Sequence, residues 1–307
     1  MRRALLLTLL AAACVGPTDD PSQVVDLRVL GVRIEPPEVM AEQCSLDDPL
    51  KLFATFNQEL QVTWRIADPK GMGRAIAYEV RACADQGDLQ CNNEGEFVVL
   101  GKGEAHDGEL TLPMRLGAQQ LADKFLLQGV LEQDTFKGLG GLRVPIVIHL
   151  TAGTEDVYAQ KLMVFSCRFF PEMKVNVTPQ LPGMTLDGKP WEADAGLSLS
   201  GAGPFVMLPV DFTDAEEPYV VPSLKLEPVH LVESWKIAWY ATAGKFSPNE
   251  TGGVDFSGLS ERHRTQWKPK SDDVEQDVRF TFVVRDGRGG QSWLERIAHW
   301  APDGGTP

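Results

Sequence analysis

The sequence has no long hydrophobic run after its first residues, and it is poor in the motifs that build catalytic or metal sites. Beyond residues 5–10, no apolar stretch approaches the roughly 20 residues that a transmembrane helix needs. The sequence contains no Cys-x-x-Cys, Gly-x-Ser-x-Gly or His-Glu-x-x-His motif, which argues against zinc sites and against esterase-type or metalloprotease chemistry. We therefore expect no metal and no cofactor, and we predict that the protein is not an enzyme.

Features that bind phosphate or nucleic acid are equally scarce. Residues 183–190 come within one residue of a phosphate loop, but Pro190 stands where that loop needs Ser or Thr. The formal net charge of −14 repels nucleic acid, which excludes it as a partner. Acidic residues cluster in short stretches such as 272–277 without forming an Asp-x-Asp-x-Asp-Gly loop. Calcium binding by these acidic loops stays an open alternative.

The first 14 residues have the layout of a secretory signal. Arg2 and Arg3 precede the short apolar run, and three alanines lead directly to Cys14. This order resembles a bacterial lipobox, with Ala11 at the position where Leu is usual. The resemblance implies a signal peptide over 1–13, a lipid on Cys14 that binds the membrane, and a tether over 14–23. Val15 rather than Asp after the lipidated residue resembles the outer-membrane sorting signal of enteric bacteria. The periplasmic and cell-surface faces of that membrane both stay open.

Four cysteines remain beyond Cys14, and an even number in an exported chain favours disulfides. Three pairings are formally open. Cys83 and Cys91 flank a polar loop that can close a hairpin. Cys44 then pairs with Cys167 by elimination, which ties the start of the first domain to its end.

Short strands with alternating burial dominate the rest of the chain. Residues 62–66, 76–80 and 278–284 alternate apolar and polar side chains, which predicts one buried and one wet face for each. Turn signals recur about every 8–12 residues, the pattern of β-sandwiches. One exception is the helical spacing of apolar residues over 118–131. We predict a mainly β protein with an N-terminal domain over 24–172, which contains this one amphipathic helix, and a C-terminal domain over 173–307.

Each predicted domain carries a tryptophan in the middle of a strand. Trp64 and Trp239 both have apolar neighbours two residues away, which predicts equivalent core positions between two sheets. The stretches 239–246, 265–269 and 284–287 resemble bacterial immunoglobulin-like or PKD-like domains. Residues 28–38, 239–244 and 284–290 resemble uncharacterised lipoproteins of Gram-negative bacteria. These resemblances imply two immunoglobulin-like antiparallel β-sandwich domains at the cell envelope.

We expect a lipid-anchored envelope protein with a structural, adhesion or protein-interaction role and a protein or glycan partner. One alternative is a carbohydrate-binding lipoprotein, which would need an exposed aromatic row from Trp267, Trp293, Trp300, Tyr219 and Tyr240. Another is an exported hydrolase with a dispersed site, which would need a pocket holding one of the five histidines beside carboxylates or Ser.

Overall fold

The structure is a computed structural model that describes residues 20–42, 49–84, 87, 90–193, 196–253 and 262–302. The first half contains strands β1 (Arg28–Glu35), β2 (Glu38–Ala41), β3 (Leu60–Ala67), β4 (Ile76–Cys83), β5 (Phe97–Ala105), β6 (Gly108–Met114), β7 (Leu142–Ala152) and β8 (Glu155–Cys167), with helices α1 (Pro49–Phe56) and α2 (Leu126–Gln133). The second half contains β9 (Met184–Leu186), β10 (Lys189–Pro190), β11 (Leu197–Ser200), β12 (Phe205–Pro209), β13 (Pro218–Pro222), β14 (Pro228–Val232), β15 (Lys236–Ala241), β16 (Lys245–Ser247), β17 (Glu250–Gly252), β18 (Thr265–Lys268), β19 (Gln276–Arg285) and β20 (Gln291–Ala301). A 3-10 helix at Thr213–Ala215 lies between β12 and β13.

The first half folds into two sheets that enclose one core. One sheet is antiparallel, in the order β1–β3–β6. The other has the order β2–β8–β7–β4–β5, and only the pairing of β2 with β8 is parallel. Because side chains alternate between the two faces of a strand, Val62, Trp64 and Ile66 of β3 point inward. They belong to the same buried cluster as Ile146 and Ile148 of β7.

The second half repeats this plan with a core of aromatic side chains. Its sheets have the orders β10–β9–β12–β18–β16 and β11–β20–β19–β15–β17, and β11 runs parallel to β20. The Trp267 and Phe280 rings lie 5.2 Å apart at 80°, and the Trp239 and Phe282 rings lie 5.2 Å apart at 63°. These edge-to-face arrangements are the ones that aromatic quadrupoles favour.

The strand connections are those of an immunoglobulin-like sandwich. In such a sandwich strands A, B and E are neighbours in one sheet, and strands C, F and G are neighbours in the other. The first half places β1–β3–β6 as A–B–E and β8–β7–β4 as G–F–C, and the second half places β9–β12–β18 and β20–β19–β15 in the same roles. The prediction of a mainly β fold built from antiparallel immunoglobulin-like sandwiches is confirmed. The β13–β14 hairpin is an insertion between strands B and C of the second half.

The two sandwiches pack on each other through their outer faces. Leu30 and Ala67 of the first half share a buried cluster with Ala238 and Val283 of the second. Gly31 permits this close approach, because a Cβ there would lie 2.9 Å from Cε3 of Trp293.

This packing corrects one expectation from the alternating patterns. The wet face predicted for β3 is covered, and Thr63 and Arg65 are 4% and 2% exposed. The Arg65 guanidinium lies 2.7 Å from the Glu295 carboxylate of the second half and 3.2 Å from that of Asp107. Thr281, on the face of β19 predicted to be wet, is also buried. The prediction was wrong there because periodicity within one sandwich cannot show that a second sandwich covers it.

The predicted helix over 118–131 is also corrected. Helix α2 begins only at Leu126, after a turn in which Gln120 and Phe125 form a β-bridge. Gly117 lies so close to α1 that a Cβ would be 2.5 Å from the Phe53 carbonyl oxygen. Packing against α1 therefore fixes the path of the chain into this turn. The apolar spacing was right only in part, since Leu121, Leu126 and Val130 are in the core, whereas Ala118 and Ala122 are exposed. Helix α1 was not predicted. No helix in the described ranges is long and apolar enough to cross a membrane.

The two tryptophans of the core occupy different topological positions. Trp64 and Trp239 are both completely buried. Trp64 lies on strand B of its sandwich, whereas Trp239 lies on strand C, opposite Phe282. The prediction that they are equivalent was therefore wrong, because a mid-strand Trp fits either sheet. The last strand of the first half ends at Cys167, and the first strand of the second half begins at Met184. That the halves fold independently on either side of a boundary at 172/173 stays a prediction.

Candidate interaction site between the two halves

A cleft of about 470 Å³ lies where β8 of the first half meets the β13–β14 hairpin and the β19–β20 turn of the second. We call it the junction cleft. The side chains that matter below are Glu38, Lys161, Leu162, Val164, Lys174, Tyr219, Val221, Leu231 and Arg288. Its volume falls within the range of about 300–1,000 Å³ that is usual for ligand sites.

The β19–β20 turn is held in shape by Asp286. One oxygen of its carboxylate, Oδ1, accepts hydrogen bonds from the backbone N–H groups of Arg288, Gly289 and Gly290 at 2.7–3.0 Å. The other, Oδ2, accepts one from the Asn176 side chain at 2.7 Å. Gly287 and Gly289 have φ angles of 82° and 124°, which only glycine adopts without strain. The turn is therefore rigid and presents the Arg288 side chain in one place.

Arg288 ties the two halves together at the wall of the cleft. Its guanidinium nitrogens lie 3.1 Å from Glu233, 3.6 Å from Glu38 and 3.7 Å from Glu217. The guanidinium carbon also stacks 4.5 Å from the centre of the Tyr219 ring. Glu38 belongs to the first half and the other partners to the second. The positive charge of Arg288 is thus compensated within the protein.

Burial shifts the pKa of two ionisable side chains near this wall in opposite directions. Desolvation lowers the pKa of the Lys161 amine to about 8, and the Asp286 and Arg285 charges shift it up and down respectively. Desolvation raises the pKa of Glu233, against hydrogen bonds from Trp235 and Arg288 that lower it. Lys161 Nζ contacts Gln291 Oε1 at 3.5 Å. Within the described ranges, Lys161 forms no ion pair.

The β13–β14 hairpin beside the cleft exposes apolar side chains. Every residue of β14 is exposed, and β14 pairs only with β13 among the described strands. The exposed fractions are 75% for Leu224, 57% for Leu226, 37% for Val229, 40% for Leu231 and 64% for Val232. Such a patch beside an unpaired strand edge is typical of a protein-interaction surface.

A second pocket, of about 350 Å³, holds a histidine beside carboxylates. The His263 and Phe212 rings lie 4.8 Å apart and are tilted by 47°, and burial lowers the pKa of His263 to about 4. Arg262 Nε donates to His263 Nε2 at 3.1 Å and also forms an ion pair with Glu216. The hydroxyl of Thr213 donates to Asp211 and not to the ring. The pocket meets the condition set for the hydrolase alternative, a histidine beside carboxylates, although in the part of the chain that the structure describes no hydroxyl hydrogen-bonds to the His263 ring.

No family model matches the chain, and no curated protein matches it. Among solved structures it is similar to dimeric latent PorU from Porphyromonas gingivalis, at 9% identity and a TM-score of 0.23, over 92% of this chain and 24% of that one. It is similar to the periplasmic chaperone SfaE at 9% identity and a TM-score of 0.25, over 88% and 99%. It is similar to the human desmocollin-1 ectodomain at 9% identity and a TM-score of 0.20, over 90% of this chain and 38% of that one. The chain spans about a quarter of PorU. At these TM-scores the likenesses carry no argument, and the fold rests on the strand connections above.

The cysteine predictions have mixed outcomes. The Cys83–Cys91 disulfide is confirmed and closes the loop between β4 and β5. Cys167 is disulfide-bonded. Cys14 and Cys44 lie outside the described residues, so lipidation of Cys14 and the Cys44–Cys167 pair stay predictions.

The aromatic row needed for a sugar platform is not formed by the tryptophans proposed for it. Trp267 and Trp300 are buried in the core of the second half. Trp293 packs between the halves, donates to Glu109 at 2.7 Å and lies 4.9 Å below the Arg33 guanidinium. Tyr219 lies beneath Arg288. These rings stabilise the fold and its junction instead.

The remaining histidines lie far apart on different strands and loops. His149 stacks on Tyr158 at 4.1 Å, and His299 contacts Asp277 and Glu275. Across the described ranges, no group of three or more His, Cys, Asp or Glu side chains is arranged to hold a metal ion.

Sequence reasoning missed the junction cleft, although one signal for it was present. Lys161 stands at an inward position of β8, in register with Ile146 and between the inward Ala159 and Met163. A charged residue in an otherwise apolar register marks a site where the core opens to solvent or ligand. The partners that complete the wall, Glu38 and Arg288, are 250 residues apart in sequence, and no local pattern links them.

Proposed function

We propose that this protein is a non-enzymatic envelope protein, anchored by a lipid on Cys14, that binds a partner protein. The observation that carries this proposal is the β13–β14 hairpin, which exposes five large apolar side chains next to a cleft. Burying such a patch against another protein is favourable by about 25 cal/mol per Å² of apolar surface removed from water. A surface of this kind on an exported protein fits a contact within an envelope assembly.

The anchor supports the same proposal. A lipid on Cys14 would hold the folded halves at a membrane surface. The tether predicted over 14–23 is corrected at its described end, because Ser22 is 1% exposed and Gln23 forms a parallel bridge with Ala241 of the second half. The tether that we propose therefore ends before Asp20. The outer membrane is the proposed location, and confinement there raises the local concentration of a partner in the same membrane.

Two measurements test this function in intact cells. The Cys14→Ser variant is expected to move from the membrane to the soluble fraction, and acylation of the N-terminal peptide should disappear in its mass spectrum. A photoreactive amino acid at Leu226 is expected to crosslink one defined partner. The matched control is Met72, which is 95% exposed and lies on the first half, away from the hairpin. Equal crosslinking from both positions, or from neither, would contradict the interaction role.

A further inference from the structure

The inward amine of the junction cleft lacks a strong partner. Among the described residues, the hydrogen-bond partner of Lys161 Nζ is the neutral Gln291 Oε1, at 3.5 Å, and that oxygen also accepts a hydrogen bond from the Val32 N–H at 3.3 Å. Because burial lowers the pKa of Lys161 only to about 8, the amine still carries most of its charge at pH 7. A charged group held in a poorly solvated place gains most from an anion brought next to it.

The charges around Lys161 leave room for such an anion. The cleft is lined by four cationic side chains and by a single carboxylate, that of Glu38. Glu38 is already engaged by the Ser166 hydroxyl, the Asn176 N–H and Arg288. Lys174 lines the same cleft, and like Lys161 it forms no ion pair within the described ranges. Arg288 is already compensated by Glu233, Glu38 and Glu217, so it is Lys161 and Lys174 that favour an anionic ligand on a chain with a net charge of −14.

The apolar part of the cleft continues onto the hairpin. Leu162 and Val164 line it from β8, and Val221 and Leu231 line it from the hairpin. Tyr219 pairs with Leu231, and Val221 pairs with Val229, so these four side chains share one face of the hairpin. The junction cleft and this face of the hairpin therefore form one continuous surface that is larger than a small-molecule site. The unpaired edge of β14 adds backbone groups that can pair with an extended chain.

We propose that the junction cleft binds an extended peptide segment of a partner protein, in which a carboxylate-bearing residue is flanked by apolar residues. Lys161 and Lys174 supply positive charge for the carboxylate, and Leu162, Val221 and Leu231 supply apolar surface for its neighbours. This inference rests on the proposed interaction function and names the class of partner segment that the same surface recognises.

The first test selects ligands from a random dodecapeptide library with the purified full-length chain. We expect the selected peptides to be enriched in Asp or Glu next to apolar residues. The best of them should bind Lys161→Met about tenfold more weakly, equivalent to about 1.4 kcal/mol. The control variant Lys189→Met removes an exposed lysine on β10 and should bind as the wild type does.

Three outcomes would overturn the proposal. One is selection without enrichment of acidic residues, and another is unchanged binding by Lys161→Met. The third is displacement of the bound peptide by lauric acid with an affinity equal to that of the peptide, which would assign the cleft to a fatty acid. The unfolding midpoint of each variant in urea, measured alongside, shows that a loss of binding is not a loss of fold.

A second test separates this inference from the proposed function. Photoreactive residues are placed at Leu162 in the cleft and at Leu226 on the hairpin, in intact cells. Crosslinks to the same partner from both positions support the cleft as part of the interface, and the crosslinked partner peptide should contain Asp or Glu. Crosslinks from Leu226 alone would reject the cleft and retain the function, whereas none from either would reject both.

Discussion

Lys161 and His263 are two side chains whose charged forms are disfavoured by burial, one in each half of the chain. Among the described residues, Lys161 of the junction cleft has the neutral Gln291 as its hydrogen-bond partner, and His263 packs against Phe212 and Arg262. Neither pKa follows from the residue type. Each is set by neighbours that are distant in sequence, which makes pH a direct probe of the packing at both places.

Replacement of Lys161 by Met is expected to stabilise the protein at neutral pH. The pKa of Lys161 is about 8 in the folded state and 10.5 in its ordinary environment. Between these values the unfolded chain binds more protons, so wild-type stability should rise with pH from about 8 to 10.5. We expect a gain of about 1–3 kcal/mol for Lys161→Met at pH 7 that shrinks toward pH 10.5. Urea unfolding at pH 7, 9 and 10.5 measures it, and a variant no more stable than the wild type at pH 7 would contradict the account.

Replacement of His263 by Gln should remove one source of acid sensitivity. Desolvation first, and then the Arg262 charge, lower the pKa of His263 from 6.5 to about 4, while Glu216 opposes the shift. The unfolded chain therefore binds more protons between these pH values, and wild-type stability falls as pH drops from 6.5 to 4. Between pH 6.5 and pH 4, we expect the free energy of unfolding of His263→Gln to fall by about 1–2 kcal/mol less than that of the wild type. Thermal unfolding at pH 7, 5.5 and 4 tests it, with His230→Gln on the exposed strand β14 as the matched control.

At the scale of elements, the alternation of apolar and polar residues predicted burial best for strand faces that point into the core of their own sandwich. The alternation at 278–284 placed β19 and its inward Phe280 and Phe282 correctly. The same reasoning failed for the outer faces of β3 and β19, because the side chains there are buried by the other half of the molecule. It failed for the start of α2 because a β-bridge and the contact of Gly117 with α1, neither visible in helical periodicity, fix the preceding turn. The junction cleft could not be assembled from the sequence for the same reason, since its walls come from both halves.

The loop between β4 and β5 depends on its disulfide. Cys83 and Cys91 are eight residues apart, and both are buried beside Val147 on the outer face of the sheet. In the chain-entropy model, closing a loop this short contributes about 2–3 kcal/mol. We expect the double variant Cys83→Ser, Cys91→Ser to lose that much stability in urea unfolding. Non-reducing peptide mapping that finds either cysteine free in the native protein would contradict the pairing.

At the scale of the whole molecule, the covered face of β3 couples the two halves. Arg65 is 2% exposed, and Glu295 of the second half is one of the groups that lie against it. Loss of the second half would expose Leu30 and Ala67 and would remove a charge partner of Arg65. The structure therefore leads us to expect coupled unfolding of the halves, rather than independent folding on either side of residue 172.

Shortening a core side chain of the second half tests this coupling. Trp239 is fully buried, and Trp239→Ala should cost about 3–5 kcal/mol. If the halves are coupled, limited proteolysis of this variant will cleave the first half faster as well as the second. The control Ile297→Ala changes an exposed side chain of β20 and should alter stability by no more than about 0.5 kcal/mol. Protease resistance of the first half at the wild-type level would show that it folds alone.

The parallel pairing of β11 with β20 has a mechanical consequence for a protein held at one end. Leu197 to Ser200 run in the same direction as Ala298 to Ala301, and β2 runs parallel to β8 in the same way. When two parallel strands such as β11 and β20 are pulled apart along their length, the hydrogen bonds between them are sheared together rather than opened one at a time. We therefore expect each half to resist force best when it acts along its parallel pair, β2 with β8 and β11 with β20.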